Sequence, residues 1–322
     1  VPPRSRRTRA EVGETPAPTE VAQVQTSDEL FSPVGRGIEL CYQTFGDPDD
    51  DPLLLVMGLG GPMNWWDPDL CRALARRGFY VIRYDNRDTG RSTVLDGRVS
   101  RTTLLRAFAG ARTRVPYGLA DLAEDAFGLL DHLGLESAHV VGVSMGGMIA
   151  QTMAIARPGR VRSLTSVMST TGKRTVGWLH PSLFPAMLAG RKPGRAAYVR
   201  SSAEFWKMIG SPGYPQTAEQ VERRAAETYD RGVSVNGVAR HMLAVITQPN
   251  RGQRLRSVRV PTLVVHGLAD KMVHPSGGRA TAAAVPGAEL LLIDGMGHDL
   301  PPDLFETFVA AIRRNADRAE RS

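Results

Sequence analysis

A chain of 322 residues with 42% hydrophobic and 23% charged residues has the composition of a globular protein large enough to bury a sizeable core. Its longest apolar runs, at 53–57 and 290–293, are strand length and fall short of a bilayer span, so no transmembrane helix is expected. The formal charge of +7 rests on 40 basic residues, of which four are lysine. They are spread along the chain without the clustered aromatics of a base-stacking surface, which points away from nucleic acid.

The first thirty residues are rich in Pro, Thr, Glu and Arg and poor in large apolar side chains, so residues 1–30 read as a flexible tail that cannot repay the entropy of folding. The opening arginines are followed by acids and prolines and not by an apolar run, so no secretory leader is read and a cytoplasmic location is the default; a leader lost before Val1 would leave no trace. Cys41 and Cys71 are too few for a disulfide framework and lack metal-ligand spacing, so both read as free, partly buried thiols.

From Gly37 onward, short apolar runs alternate with helical periodicities. Strands are expected at 38–46, 52–58 and 79–84, with a helix at 68–77. A longer helix covers 117–133, where Leu119, Leu122, Ala126, Leu129, Leu130 and Leu133 recur at helical spacing before Gly134. Strand 138–143, helix 145–156 and strand 164–168 follow. After an interruption come strand 261–266, helix 276–284, strand 289–293 and a last helix at 303–314. Strands alternating with helices predict an α/β fold with a mostly parallel sheet covered on both faces, built from residues 31–170 and 251–322. The interruption at 171–250 has no strand pattern, is broken by prolines and is too long for a loop, so it is expected to form a helical cap over the carboxyl ends of the strands.

The strongest chemical signal is His139-Val-Val-Gly142-Val143-Ser144-Met145-Gly146-Gly147, a strand running through G-x-S-x-G into a helix. In that context the serine occupies a tight strand-to-helix turn, which only small neighbours such as Gly142 and Gly146 permit. The turn lifts Ser144 Oγ above the sheet and aims the Met145 N–H, at a helix N-terminus, at a developing oxyanion. Serine alone is a poor nucleophile, so a carboxylate and a histidine should follow in that order. Asp270 lies in the loop after strand 261–266, and His298 in the loop after strand 289–293. Asp294 competes with Asp270 but shares the loop of His298, too close to reach behind the imidazole. His132, His139, His180 and His241 read as surface or packing residues, and His266 and His274 as core or supporting groups. The glycine-rich loop Met57-Gly58-Leu59-Gly60-Gly61 is expected to supply a second oxyanion donor, the backbone N–H of Leu59. Trp65 and Trp66 beyond it either line an apolar pocket or belong to the core. In the cap, Trp178, Phe184, Tyr198, Phe205, Trp206 and Tyr214 either face a hydrophobic substrate or hold cap helices to the body.

From about residue 36 to 314 the chain resembles the α/β-hydrolase superfamily, through LLLVMGLGG, RYDNRDTGRST, HVVGVSMGG, HGLAD and IDGMGH in the usual order. Within it, the VMG loop and the YDNRDTGRST segment look most like bacterial esterases of the aclacinomycin methylesterase type, which remove a methyl ester from a polyketide. The resemblance implies a serine esterase acting on an apolar ester without cofactor or metal. The same triad can also serve lactone, amide or C–C bond hydrolysis or cofactor-free perhydrolysis, and a ligand receptor that has lost turnover is the reading from another class. One departure is Met57-Gly58 where the superfamily often has His-Gly, which removes a side chain that braces the oxyanion loop. Asp85, Arg87, Asp88 and Arg91 stand in a loop that the resemblance makes structural, and ion pairs are expected there.

Overall fold

The computed structural model describes residues 23–188 and 194–320. Its elements in chain order are β1 (Leu30–Gly35), β2 (Ile38–Phe45), β3 (Asp51–Val56), α1 (Pro68–Ala75), β4 (Phe79–Tyr84), α2 (Arg101–Phe108), α3 (Leu119–His132), β5 (Ala138–Val143), α4 (Met145–Ala156) and β6 (Val161–Val167). They continue with α5 (Phe184–Leu188), α6 (Arg195–Ile209), α7 (Ala218–Arg231), α8 (Val235–Thr247), α9 (Gly252–Leu255), β7 (Thr262–Gly267), α10 (Ser276–Ala284), β8 (Glu289–Ile293) and α11 (Phe305–Asp317). The strands form one eight-stranded sheet in the order β1-β2-β4-β3-β5-β6-β7-β8. Pairing is antiparallel at β1/β2 and β2/β4 and parallel from β4 to β8.

The continuous apolar strands follow from burial on both faces. Leu54 and Val56 of β3 point with Ile82, Val140 and Leu164 into a core closed by α3 and α4, where Leu122, Phe127, Ile149 and Met153 are buried. Their neighbours Leu53 and Leu55 point the other way with Val81, Val141 and Val265, against Leu70 and Leu74 of α1 and Phe308 and Ile312 of α11. Cys41 and Cys71 are both free and buried.

Three elements outside residues 171–250 were not expected from the sequence: β1, α2 and the single-turn α9. Strand β1 carries Pro33 and leaves Leu30 and Phe31 exposed, a pattern that an edge strand tolerates and that gives no alternation to read. Helix α2 is only two turns long, too short for a helical period to stand out. At the N-terminus, residues 1–22 of the expected tail lie outside the described residues. The described end of the expected tail, residues 23–30, lies against the sheet: Ser27 N–H donates to Thr44 O at 3.0 Å, Gly46 N–H donates to Gln25 O at 2.9 Å, and Glu29 pairs with Arg91 and Arg231.

Between β6 and β7 the described part of residues 171–250 holds the helices α5 to α8 joined by irregular segments, with α6 packed on α7 and α8 on α2. The loop after β4 joins this region to the sheet through ion pairs. Asp85 pairs with Arg231 of α7, Asp88 with Arg240 of α8, Arg87 with Asp125 of α3, and Arg91 with Glu29. The four charged side chains of the YDNRDTGRST segment thus have the structural use expected of them. The Arg240–Asp88 pair is bidentate at 2.6 and 2.7 Å, and Asp88 also accepts from Tyr117 Oη at 2.6 Å. Burial opposes the charge on Asp88, but the bonds from Arg240, Tyr117 and the Leu95 N–H outweigh it and hold the carboxyl below its ordinary range.

Asp88→Asn keeps the shape of that carboxylate and leaves the buried Arg240 without a counter-charge. It should lower unfolding free energy by about 3–5 kcal/mol, read from the midpoint of urea denaturation. An unchanged midpoint would mean that the pair does not hold α8 to the body.

Candidate active site

The G-x-S-x-G segment is a strained turn. Ser144, between β5 and α4, has φ 57° and ψ −118°, a region that a residue with a Cβ enters only under compulsion. A Cβ on Gly142 would lie 2.1 Å from Gly146 O, and one on Gly146 would lie 2.0 Å from Val56 O, so both positions must lack side chains for β5, α4 and β3 to approach as they do. The turn is tied on both sides, with Ser144 N–H donating to Val167 O at 2.8 Å and Ser169 Oγ donating to Ser144 O at 2.8 Å.

The loops after β7 and β8 are brought together by backbone contact. Leu268 N–H donates to Ile293 O and Ala269 N–H to Met296 O, each at 2.9 Å. A Cβ on Gly267 would lie 2.2 Å from Met296 O. This seats Asp270 beside His298. His298 Nδ1–H donates to Asp270 Oδ2 at 2.7 Å, and His298 Nε2 faces Ser144 Oγ at 3.1 Å, so one tautomer serves both bonds, with Nε2 accepting from the serine hydroxyl. The other carboxylate oxygen, Asp270 Oδ1, accepts from the N–H groups of Met272 and Val273 at 2.8 and 2.9 Å. His266 Nε2 stands 3.4 Å from Oδ2 while donating to Val273 O at 2.8 Å. Burial works against the charge of Asp270, yet the His298 imidazole and the bonds from His266 and His298 overcome it and hold the carboxyl at about 2.

Asp294, the competing acid, is exposed. A carboxylate that the sequence reading did not weigh, Asp299, is buried next to His298. It accepts from Ser211 Oγ and, at 2.7 Å, from Gln216 Nε2, and burial raises its pKa.

The glycine loop lies over the serine. A Cβ on Gly58 would lie 3.2 Å from Ser144 Cβ and 3.7 Å from its Oγ, which puts Gly58 beside the serine side chain, while Met145 opens α4 on the residue after the serine. The helical region between β6 and β7 meets both loops. Gly297 N–H donates to Ser211 Oγ at 2.8 Å and His298 N–H to Ile209 O at 2.7 Å, while Gly60 N–H donates to His241 Nδ1 at 3.1 Å. His241, read from sequence as a surface or packing residue, is buried against this loop. Only its position in the insertion was visible in sequence, and nothing there told that α8 returns to the glycines.

The four tryptophans separate. Trp66 is 1% exposed and packs into the core on the α1 and α11 side, the core alternative that its sequence position left open, and its backbone carbonyl accepts from Arg83. Trp65 reaches the cap instead, with Nε1–H donating to Thr228 Oγ1 at 2.9 Å and its ring edge-on to Trp206 at 5.0 Å. Trp206 in turn lies under the Arg224 guanidinium at 5.4 Å. Trp178 is 43% exposed and stacks on His274 at 4.1 Å, in a cluster with His180 apart from the other three.

A model of the α/β-hydrolase fold family matches residues 51–303. Two curated relatives are rhodomycin D methylesterases. That of Streptomyces peucetius is 29% identical over 294 residues, covering 85% of this chain and 94% of the relative. That of Streptomyces sp. (strain C5) is 30% identical over 302 residues, with the same coverage of 85% and 94%. Among solved structures, a hydrolase from Pseudomonas aeruginosa superposes with a TM-score of 0.68 at 25% identity, covering 89% of this chain and 98% of that one.

The depressed carboxyl has a consequence for acid stability. Asp270 titrates at about 2 in the folded protein against an ordinary 3.8, so its stabilisation is complete above the unfolded value and disappears as pH falls through the folded one. Wild type should therefore lose about 2 kcal/mol more than Asp270→Asn between about pH 5 and about pH 2, measured by denaturant unfolding at each pH. Parallel profiles for the two proteins would contradict the assignment.

Proposed function

The chain belongs to the α/β-hydrolase fold family and is a carboxylic ester hydrolase, and we propose that it works through an acyl-enzyme with Ser144 as nucleophile, His298 as general base and Asp270 as orienting acid. The observation that carries this reading is the continuous hydrogen-bonded chain from Asp270 Oδ2 through both nitrogens of His298 to Ser144 Oγ.

In the proposed cycle the serine oxygen attacks the acyl carbon as His298 Nε2 takes its proton, and the ionised Asp270 stabilises the imidazolium. The oxyanion is received by the backbone N–H groups of Leu59 and Met145, which flank Ser144 from the glycine loop and from the first turn of α4. His298 then returns the proton to the departing alkoxide, and the alcohol leaves. Water, deprotonated by the same imidazole, attacks the acyl-enzyme and restores the serine. The proposed substrate is an apolar ester, and the methylesterase relatives support a methyl ester. The Trp65–Trp206 pair between the glycine loop and the cap supports that preference.

Hydrolysis of p-nitrophenyl esters of graded acyl length, and of aromatic methyl esters, tests the reading. Ser144→Ala should lose at least about 10³-fold in kcat with folding intact. Asp270→Asn should lose about 10³- to 10⁴-fold, and Asp294→Asn less than about threefold. Equal turnover by wild type and Ser144→Ala would sink the serine mechanism, and a reversed ranking of the two aspartates would overturn the choice of acid.

A further inference from the structure

We infer that His241, on cap helix α8, is a positioning residue for the oxyanion loop, holding the Leu59 N–H in register with Ser144 through its bond to the next amide of the same loop. The inference rests on the serine mechanism proposed above and extends it to a residue outside the triad.

The loop after β3 is a run of glycines, which has little stiffness of its own. Its geometry is imposed from outside, at the amides on either side of Leu59. On one side Met57 O accepts from Asn86 Nδ2 at 3.1 Å. Within the loop Gly61 N–H donates to Gly58 O at 3.2 Å. On the other side Gly60 N–H donates to His241 Nδ1 at 3.1 Å, and His241 Nε2–H donates to Arg87 O at 2.8 Å. The imidazole is therefore a rigid strut between the loop after β3 and the loop after β4.

The remaining geometry keeps that strut in place. Val238, one turn earlier on α8, meets Gly60 so closely that a Cβ there would lie 2.8 Å from Val238 Cγ2. Arg240, the residue before His241, is locked on Asp88. Tyr117 packs edge-on against the imidazole with centroids 6.1 Å apart. His241 is fully buried, and burial pulls its pKa down to about 4, so the ring stays neutral at physiological pH with Nδ1 free to accept. Leu59 N–H is one residue from the amide so fixed, and displacements of about 1 Å at such donors cost on the order of 100-fold in rate.

Two conservative variants separate the strut's ends. His241→Asn can place its amide oxygen where Nδ1 stands and so keep the acceptor for Gly60. His241→Gln can place its amide nitrogen where Nε2 stands and so keep the donor to Arg87 O but lose the acceptor. With p-nitrophenyl ester turnover referenced to titrated active sites, His241→Asn should stay within about fivefold of wild-type kcat. His241→Gln and His241→Leu should fall about 10- to 100-fold with KM changed less than about twofold. Binding of a trifluoromethyl ketone, which forms the tetrahedral adduct on serine, should weaken in step with kcat. Equal kcat per active site in all three variants, with only the melting temperature lowered, would overturn the inference, as would a loss confined to KM. Either result would leave the serine mechanism standing if Ser144→Ala remains inactive.

Discussion

Everything at this site depends on the backbone of Ser144 being held where serine does not go unaided. A non-glycine residue at φ 57° and ψ −118° carries about 1–3 kcal/mol of strain, and it persists only because its surroundings leave no alternative. Three parallel strands supply that compulsion. β3 puts Val56 O against Gly146, β5 delivers the turn, and β6 captures the serine amide with Val167 O. The strand order β3-β5-β6 is thus a condition for the serine, because each strand contributes one restraint that no local sequence could replace. The glycines at 142 and 146 make the approach possible, and the buried cores on both faces of the sheet make it compulsory.

The helical region between β6 and β7 is joined to this frame by charge as well as by packing. Its helices α7 and α8 bring Arg231 and Arg240 onto Asp85 and Asp88, two carboxylates fully removed from solvent. Such pairs contribute less through their net energy than through the penalty of separating them, since one partner alone would be a buried charge. They therefore act as registration points. Asp85 extends the same registration to the serine side of the sheet, accepting the Met63 N–H at 2.7 Å just past the glycine loop. A carboxylate in the loop after β4 thus indexes cap and glycine loop together.

The sheet from β2 onward and the helices flanking it were legible in the sequence because their signals are local: apolar runs of strand length, a helical period at 117–133, and glycines at the serine turn. The positions of Ser144, Asp270 and His298 followed from the same logic, since each stands at the carboxyl end of a strand that could be recognised on its own. What escaped was non-local. The edge strand β1 owes its pairing to β2 and not to its own composition. Trp66 and Trp65 are neighbours in sequence, yet one turns into the core and the other toward the cap, a choice made by α1 on one side and α7 on the other. His241 and Asp299 were passed over because their meaning comes from partners far away in the chain: Gly60 is 181 residues from His241, and Ser211 is 88 from Asp299.

Asp299 sharpens the question of which carboxylate answers the imidazole. It is buried, adjacent in sequence to His298, and in a naive count of acids near the base it would rival Asp270. The two environments drive them apart. Asp270 receives two backbone N–H groups on one oxygen and faces two imidazoles with the other, so its ionised form is favoured despite burial. At Asp299 burial is the largest influence and raises the pKa, outweighing the bonds from the Ser211 hydroxyl and the Gln216 amide and the attraction of Arg224, which itself bonds Gln216. Carboxyls whose pKa values are pushed in opposite directions do not share one role. Asp270, with its depressed pKa, faces the ring nitrogen of His298. The other fastens the Ser211 turn of the cap to the histidine loop, where Ser211 Oγ passes the hold on to Gly297 N–H.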